Sequence, residues 1–109
     1  MRRVAVHRIY LSAKQTIDNG VVVLDNEFVE KVFPLTEEIE KTEWIGGAVF
    51  LSSFNYIEEP DGIKTVEEAI EKITADRKES DLSYAWHASK VDFRKGILLP
   101  ENRWTKLTS

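Results

Sequence analysis

The two histidines are the side chains best suited to chemistry, because the chain has no cysteine. The absence of cysteine excludes disulfides, thiolate catalysis and cysteine-based zinc sites. A histidine metal site would need His7 and His87 together with a carboxylate such as Asp92 or Glu58. The spacing of these residues does not require that they meet. We therefore expect both histidines to be solvated or hydrogen-bonded strand residues, with no bound metal.

The stretch WIGGAVFLSSF places two serine hydroxyls behind a glycine pair. A serine nucleophile needs a base within reach and usually a strained, glycine-flanked turn. Ser52 and Ser53 lack the Gly-x-Ser-x-Gly frame, and the pair Gly46-Gly47 lies too far upstream to supply it. No phosphate-loop pattern surrounds the glycines either. We expect a strand that ends on the serines, and glycines that allow a bulge or a close backbone approach.

Carboxylates occur as neighbouring pairs at Glu37-Glu38, Glu58-Glu59 and Glu67-Glu68. Paired acids catalyse proton transfer when one of them is buried and its pKa is raised. These pairs lie instead in polar connections or in the first turn of a predicted helix, where acids favour the helix dipole. The sequence therefore favours a protein with no catalytic residue and no cofactor. A small hydrolase that uses His87 with Asp92 or a glutamate is the least favoured hypothesis.

Aromatic side chains are the remaining candidates for function. Tyr84, Trp86 and Trp104, with Trp44 as a further member, suit the core of a small domain. If they are exposed, the same side chains mark a binding or dimer surface. We predict a binding site at Tyr84, Trp86, His87 and Trp104. Whether Trp86 and Trp104 are core or surface residues stays open at this point.

Length and composition indicate one folded domain over residues 1–109. Hydrophobic residues make up 42% of the chain and charged residues 31%, which is too apolar for disorder. With 15 basic against 19 acidic side chains, the chain lacks the basic face of a nucleic-acid binder. No apolar run approaches the roughly 18 residues of a membrane span, and His7 and Arg8 interrupt the apolar start of a secretory signal. We expect a cytoplasmic protein that binds neither nucleic acid nor membrane.

Apolar and β-branched residues predict five or six strands, which short turns would make mostly antiparallel. Val4 and Val6 are expected on one face of the first strand and Ile9 on the other. Asp18-Asn19-Gly20 is predicted as a turn, and Asp25-Asn26-Glu27 as a hairpin turn. The strands are expected at 4–11, 21–24, 28–33, 47–52, 84–93 and 97–99, and a final edge strand or docked tail contains Trp104.

One amphipathic helix is expected at about 65–78. Thr65 is the predicted N-cap, and Glu68 completes a capping box. Apolar residues at i, i+3, i+4 and i+7 from Val66 form one narrow face. Together these elements predict a mainly β, α+β fold. A small sheet or sandwich would pack against the helix, with the N- and C-terminal strands paired in one sheet.

The order of elements over about residues 4–54 resembles the small β-rich composite domain of amidohydrolase-type metal-dependent hydrolases. The resemblance rests on IYLSAKQTIDNGVVVLDNEFVEKVFPL, a linker and GGAVFLSSF. The shared order of elements is a strand, a loop ending in Asn-Gly, a hairpin that turns after Asp, and an apolar strand that begins with glycine. The resemblance implies that the strands at 84–109 return to complete the same β-domain. The helix would then stand where the family inserts its catalytic barrel.

The chain departs from that family where the metal site should begin. There the apolar strand ends in Pro-Gly-Phe, followed by Asp-x-His-x-His. Here Ser52-Ser53-Phe54 replaces the first part, and Tyr56, Glu58 and Pro60 stand in place of the aspartate and the two histidines. Glycine is also missing after Asp25. The resemblance therefore implies a fold and carries over no catalytic residue.

Two hypotheses of function are favoured over the small hydrolase. In the first, the protein is a non-enzymatic domain that binds a protein partner, or forms a homo-oligomer, through exposed strand edges and aromatic side chains. In the second, which the resemblance implies, it is an accessory or ligand-binding module associated with a metal-dependent hydrolase.

Overall fold

The computed structural model describes residues 1–37, 41–78 and 82–109. It confirms the β-rich α+β fold class, since one mixed sheet is covered on one side by a short helix. The strands are β1 (Arg2–Tyr10), β2 (Thr16–Asp25), β3 (Phe28–Pro34), β4 (Thr42–Trp44), β5 (Ala48–Ser52), β6 (Tyr84–Ala88), β7 (Val91–Asp92), β8 (Ile97–Leu98) and β9 (Trp104–Lys106).

The main sheet is arranged around β1. On one side β1 pairs antiparallel with β2, which pairs with β3. On the other side β1 pairs in parallel with β4 and then with β5. Antiparallel pairings of β5 with β6 and of β6 with β9 extend the sheet, while β7 and β8 form a separate hairpin. The N- and C-terminal strands belong to one sheet, but their predicted pairing is wrong, because β5 and β6 lie between β1 and β9.

The first strand changes face near His7, which simple alternation did not predict. Val4, Val6 and Ile9 all belong to one apolar cluster, although alternation places Ile9 on the opposite face. The ladder between β1 and β2 skips the position where His7 would face Asn19, and Asn19 has φ 50°. Val6 pairs with Gly20 and Arg8 with Asp18 in the same register, so no residue is inserted and the break is a local change of backbone direction at the left-handed Asn19.

The chain reverses between β1 and β2 earlier than predicted. The predicted turn at Asp18-Asn19-Gly20 is wrong, because this segment lies inside β2. The reversal is at Ser12, whose Oγ accepts hydrogen bonds from the N–H groups of Lys14 and Gln15 at 3.2 and 3.1 Å. The hairpin predicted at Asp25-Asn26-Glu27 is confirmed, with its asparagine at φ 56°. An Asn-Gly pair signals a left-handed residue, and here that residue lies inside a strand and not in a turn.

The described residues form three apolar clusters, of which the two larger ones lie on the two sides of the sheet. The helix-side core packs β5 and β6 against the helix, with Phe50 fully buried in it. The inner core lies on the other face, between residues of β1, β2, β5 and β6. The sheet curls around this inner core, so that the N–H of Val29 in β3 donates to the C=O of Ser83, just before β6, at 2.8 Å.

The helix begins as the sequence predicts, after a short 3-10 turn at Pro60–Gly62. Thr65 is the N-cap, and its Oγ1 accepts the N–H of Glu68 at 3.0 Å. The carboxylate of Glu68 accepts the N–H of Lys64 at 2.9 Å. The second bond of the capping box therefore goes to the residue before the N-cap and not to Thr65 itself. This backbone hydrogen bond lowers the pKa of Glu68.

The helix ends earlier than the predicted range of 65–78. It is α-helical over Val66–Ala69 and π-helical over Ile70–Thr74. Beyond it, the Nε of Arg77 donates to the C=O of Leu11 at 2.9 Å. This bond ties the chain to the loop after β1, which helical periodicity alone does not reveal.

Candidate functional site

The four predicted binding residues lie on β6 and β9, adjacent strands at one end of the sheet. Tyr84, Trp86 and Trp104 pack in or against the helix-side core. His87 follows Trp86 in β6 and therefore points to the opposite face. The structure brings the three aromatic residues together and separates His87 from them. Their role in binding stays a prediction.

The two tryptophans differ in how their indole N–H groups are satisfied. Trp86 is 8% exposed, and its Nε1 donates to the C=O of Phe54 at 3.1 Å. Trp104 is partly buried and packs on Phe50, with 5.5 Å between ring centroids. Its Nε1 is buried and has no hydrogen-bond acceptor among the residues that the structure describes. Trp86 is thus a core residue, and Trp104 is a packed residue at the end of the sheet.

Replacing each tryptophan by phenylalanine should separate these two situations. Trp86→Phe leaves the C=O of Phe54 without its donor, whereas Trp104→Phe removes a donor that lacks an acceptor. We expect Trp86→Phe to lower the free energy of unfolding by about 1 kcal/mol more than Trp104→Phe does. Urea denaturation measures the difference, and equal losses would contradict the hydrogen bond from Trp86.

His87 is a buried, hydrogen-bonded strand histidine, as the sequence led us to expect. Its Nε2 donates to the C=O of Gly46 at 2.9 Å. Because a carbonyl oxygen only accepts, the neutral ring must carry its proton on Nε2. Burial lowers the pKa of His87 below its ordinary 6.5, the hydrogen bond to Gly46 opposes this, and the charge of Arg2 adds to the lowering.

Stability should decrease as the pH falls below 6.5, because the pKa of His87 is lower in the folded than in the unfolded chain. As the pH falls, the unfolded chain therefore takes up a proton on His87 before the folded chain does. The stability that neutral His87 contributes is complete above the unfolded pKa and is lost as the pH falls through the folded pKa. Urea midpoints between about pH 7.5 and 5.5, above the main carboxylate range, should show the decrease. His87→Gln should remove it, whereas His7→Gln should keep it. A wild-type midpoint that is constant over this window would disprove the assignment.

Asp92 and Ser52, which were also considered for chemistry, have structural partners. The Oδ1 of Asp92 accepts the N–H groups of Arg94 and Lys95, both at 3.1 Å, and so caps the turn after β7. The Oγ of the buried Ser52 accepts the N–H of Phe54 at 2.9 Å. Within residues 1–37, 41–78 and 82–109, no three histidine, aspartate or glutamate side chains come together as metal ligands.

The paired carboxylates lie at the surface or at the helix start. Glu37 and the pair Glu58-Glu59 are exposed. The pair Glu67-Glu68 is in the first helical turn, where Glu68 accepts the backbone bond described above. Glu38 lies outside the described residues. None of the described acids is both buried and paired with a second acid.

Both histidines contact the double glycine, which the sequence did not predict. His87 bonds to the C=O of Gly46, and a Cβ on Gly46 would lie 3.5 Å from the Nε2 of His7. Trp44 is 53% exposed and stands edge-on to His7, with ring centroids 4.8 Å apart. A Cβ on Gly47 would meet backbone atoms of β6, so the predicted close backbone approach is confirmed.

β9 presents an open backbone edge. Among the described strands it pairs only with β6. The C=O of Arg103 accepts the N–H of Ser89, the residue after β6, at 3.2 Å, and the N–H of Leu107 donates to the C=O of Ala85 in β6 at 2.8 Å. Residues that bond to a given neighbour alternate along an antiparallel strand. Thr105 therefore also faces β6, whereas Trp104 and Lys106 direct their N–H and C=O groups away from it.

Aromatic side chains flank this open edge. The Nζ of Lys106 lies 5.4 Å from the ring centroid of Tyr84 and donates to the Oδ1 of Asn55. Asn55 belongs to the segment after β5, in which Phe54 and Tyr56 are 40% and 77% exposed. Aromatic residues are enriched at binding surfaces, and an open sheet edge can pair with an extended segment.

A cavity of about 410 Å³ lies at the start of β9. Arg103 and Trp104 line it from β9 and the residue before it, and Asp61 and Lys64 line it from the segment that leads into the helix. The sequence did not predict this cavity, because its walls come from segments that are distant in the chain.

Comparison with known proteins finds no match to this chain. No protein-family model matches the chain, and no curated protein or solved structure matches it. The resemblance to the composite domain of metal-dependent hydrolases therefore stays a prediction. No helix in the described part of the chain is long and apolar enough to cross a membrane.

Proposed function

We propose that the protein is a non-enzymatic binding domain that takes up an extended segment of a protein partner as an added strand on β9. The observation that carries this proposal is the outward direction of the backbone groups of Trp104 and Lys106. In strand addition, backbone hydrogen bonds give affinity and neighbouring side-chain contacts give specificity. Phe54 and Tyr56 supply exposed aromatic surface for such contacts.

The opposite end of the sheet is less suited to strand addition. In β3, the N–H of Val29 is already bonded to the C=O of Ser83 at 2.8 Å. Glu30 and Lys31 are exposed on the same strand, and Pro34 at its end has no N–H to donate. Charged side chains and proline are common means by which sheet edges avoid pairing. β9 is therefore the better edge for a partner.

Charge favours an acidic partner over a second copy of the chain. The segment RWTKLTS, residues 103–109, carries Arg103 and Lys106 and no acidic side chain. Lys106 has an ion-pair partner in Glu27 at 3.2 Å, which leaves Arg103 the more available cation. Self-pairing of β9 would bring like charges of two copies together, whereas an acidic segment would complement them.

Selection from a phage-displayed library of random short peptides tests this function. Peptides that alternate apolar and acidic residues should be enriched on the immobilised protein. The synthesised peptides should bind in isothermal titration, and light scattering should show a monomer at high protein concentration. If no sequence is enriched, or if the protein forms a dimer that excludes the peptides, uptake of a partner segment is wrong.

A further inference from the structure

The cavity at the start of β9 contains more cationic than anionic groups. Lys64 and Arg103 line it, and Asp61 is the carboxylate among its lining residues. The Nζ of Lys64 donates to the backbone C=O of Asp61 at 3.0 Å and not to a carboxylate. Neither Lys64 nor Arg103 forms a salt bridge within the described residues. The lining of the cavity therefore has a net positive charge, and the side-chain N–H groups of Lys64 and Arg103 are available to donate to a ligand.

Arg103 is held in place immediately before β9. Its N–H donates to the Oγ of Ser89 at 2.8 Å, and its C=O accepts the N–H of Ser89 at 3.2 Å. The next residue, Trp104, directs its backbone groups outward and also lines the cavity. A segment that pairs with Trp104 and continues past Arg103 therefore reaches the mouth of the cavity.

We infer that this cavity receives a carboxylate of the segment that adds to β9, held by Arg103 and Lys64. The inference rests on the proposed function. A guanidinium binds a carboxylate through two parallel N–H donors, and an ammonium group adds a compact charge. The space of about 410 Å³ is large enough for an acidic side chain or for the C-terminal residue of the segment.

Three small probes separate the two sources of a carboxylate. N-acetylglutamate α-amide carries only a side-chain carboxylate, N-acetylglutamine carries only a C-terminal one, and N-acetylglutamine amide carries none. NMR titration of the full chain follows the Trp104 Nε1–H and Arg103 Nε–H resonances. At least one carboxylate probe should shift them saturably and the neutral probe should not. Equal shifts with all three probes, or no shift with any, would overturn the inference.

Charge-removing variants identify the groups that hold the carboxylate. Arg103→Gln should weaken binding of the carboxylate probe at least about tenfold, the loss expected for a charge-assisted hydrogen bond. Lys64→Gln is a second, independent variant, and both side chains are exposed, so the fold should persist. Lys14→Gln removes an exposed positive charge outside the cavity lining and should leave binding unchanged. Probe binding that is unaltered in both Arg103→Gln and Lys64→Gln would contradict the inference.

Failure of this inference and failure of the proposed function give different results. Selected peptides that protect β9 but bind Arg103→Gln as tightly as the wild type would overturn the carboxylate site alone. Carboxylate probes that bind normally, while Lys106→Pro still takes up a selected peptide, would overturn strand addition alone.

Discussion

Gly47→Ala is expected to lower the free energy of unfolding by about 3 kcal/mol or more, or to prevent folding. A Cβ at this position would lie 2.2 Å from the backbone oxygen of Ala88, and Gly47 has φ 67°, where a side chain is strained. The C=O of Gly47 also accepts the N–H of His7 at 3.0 Å, between the pairings of β1 with β4 and with β5. Because the clash is with backbone, only a shift of β5 against β6 would relieve it.

Gly46→Ala is the matched control for this substitution. Gly46 has the same φ of 67°, but a Cβ there would lie 3.5 Å from the Nε2 of His7, an ordinary contact. Gly46→Ala should lower the free energy of unfolding only by the backbone strain, about 1–2 kcal/mol. Urea denaturation of both variants gives the comparison. Equal costs would show that the approach of Gly47 to Ala88 does not constrain the sheet.

Lys106→Pro is expected to weaken uptake of a selected peptide at least about tenfold while leaving the fold nearly unchanged. The N–H of residue 106 faces away from β6, so proline removes no ladder bond there. It removes an outward donor, and its ring obstructs an added strand. Isothermal titration measures uptake, and Lys106→Ala controls for loss of the lysine side chain, including its contact with Tyr84.

Thr105→Pro places proline at a position of β9 that faces β6, in contrast to Lys106→Pro. The N–H of Thr105 faces β6, so proline there removes a ladder bond and should cost about 3 kcal/mol of stability. If Lys106→Pro destabilises the protein as much as Thr105→Pro, the outward direction of residue 106 is wrong.

Local signals in the sequence predicted those elements whose geometry is decided by neighbouring residues. The hairpin at Asp25-Asn26-Glu27 and the N-cap at Thr65 are both confirmed, because each depends on side chains within a few positions. The change of face near His7 coincides with the unpaired position opposite the left-handed Asn19 in β2. Alternation along a single strand does not include such a break, and the predicted face of Ile9 is therefore wrong.

The sequence singled out Trp104 near the open edge, but not Phe54 or Tyr56 beside it. Residue type singled out Trp86 and Trp104, and the structure places them on adjacent strands. The open edge depends on which backbone groups of β9 face β6, and hydrophobicity patterns do not encode that direction. The cavity depends on Lys64 and Arg103, which only the folded chain brings to one place.

Amide hydrogen exchange along β9 tests most directly the central claim that this strand is an open edge that takes up a partner. In the free protein, we predict fast exchange at Trp104 and Lys106 and slower exchange at Thr105 and Leu107. When a selected peptide binds, the amides of Trp104 and Lys106 should become protected. Protection of these two amides in the free monomer, or their continued fast exchange in the peptide complex, would contradict the claim.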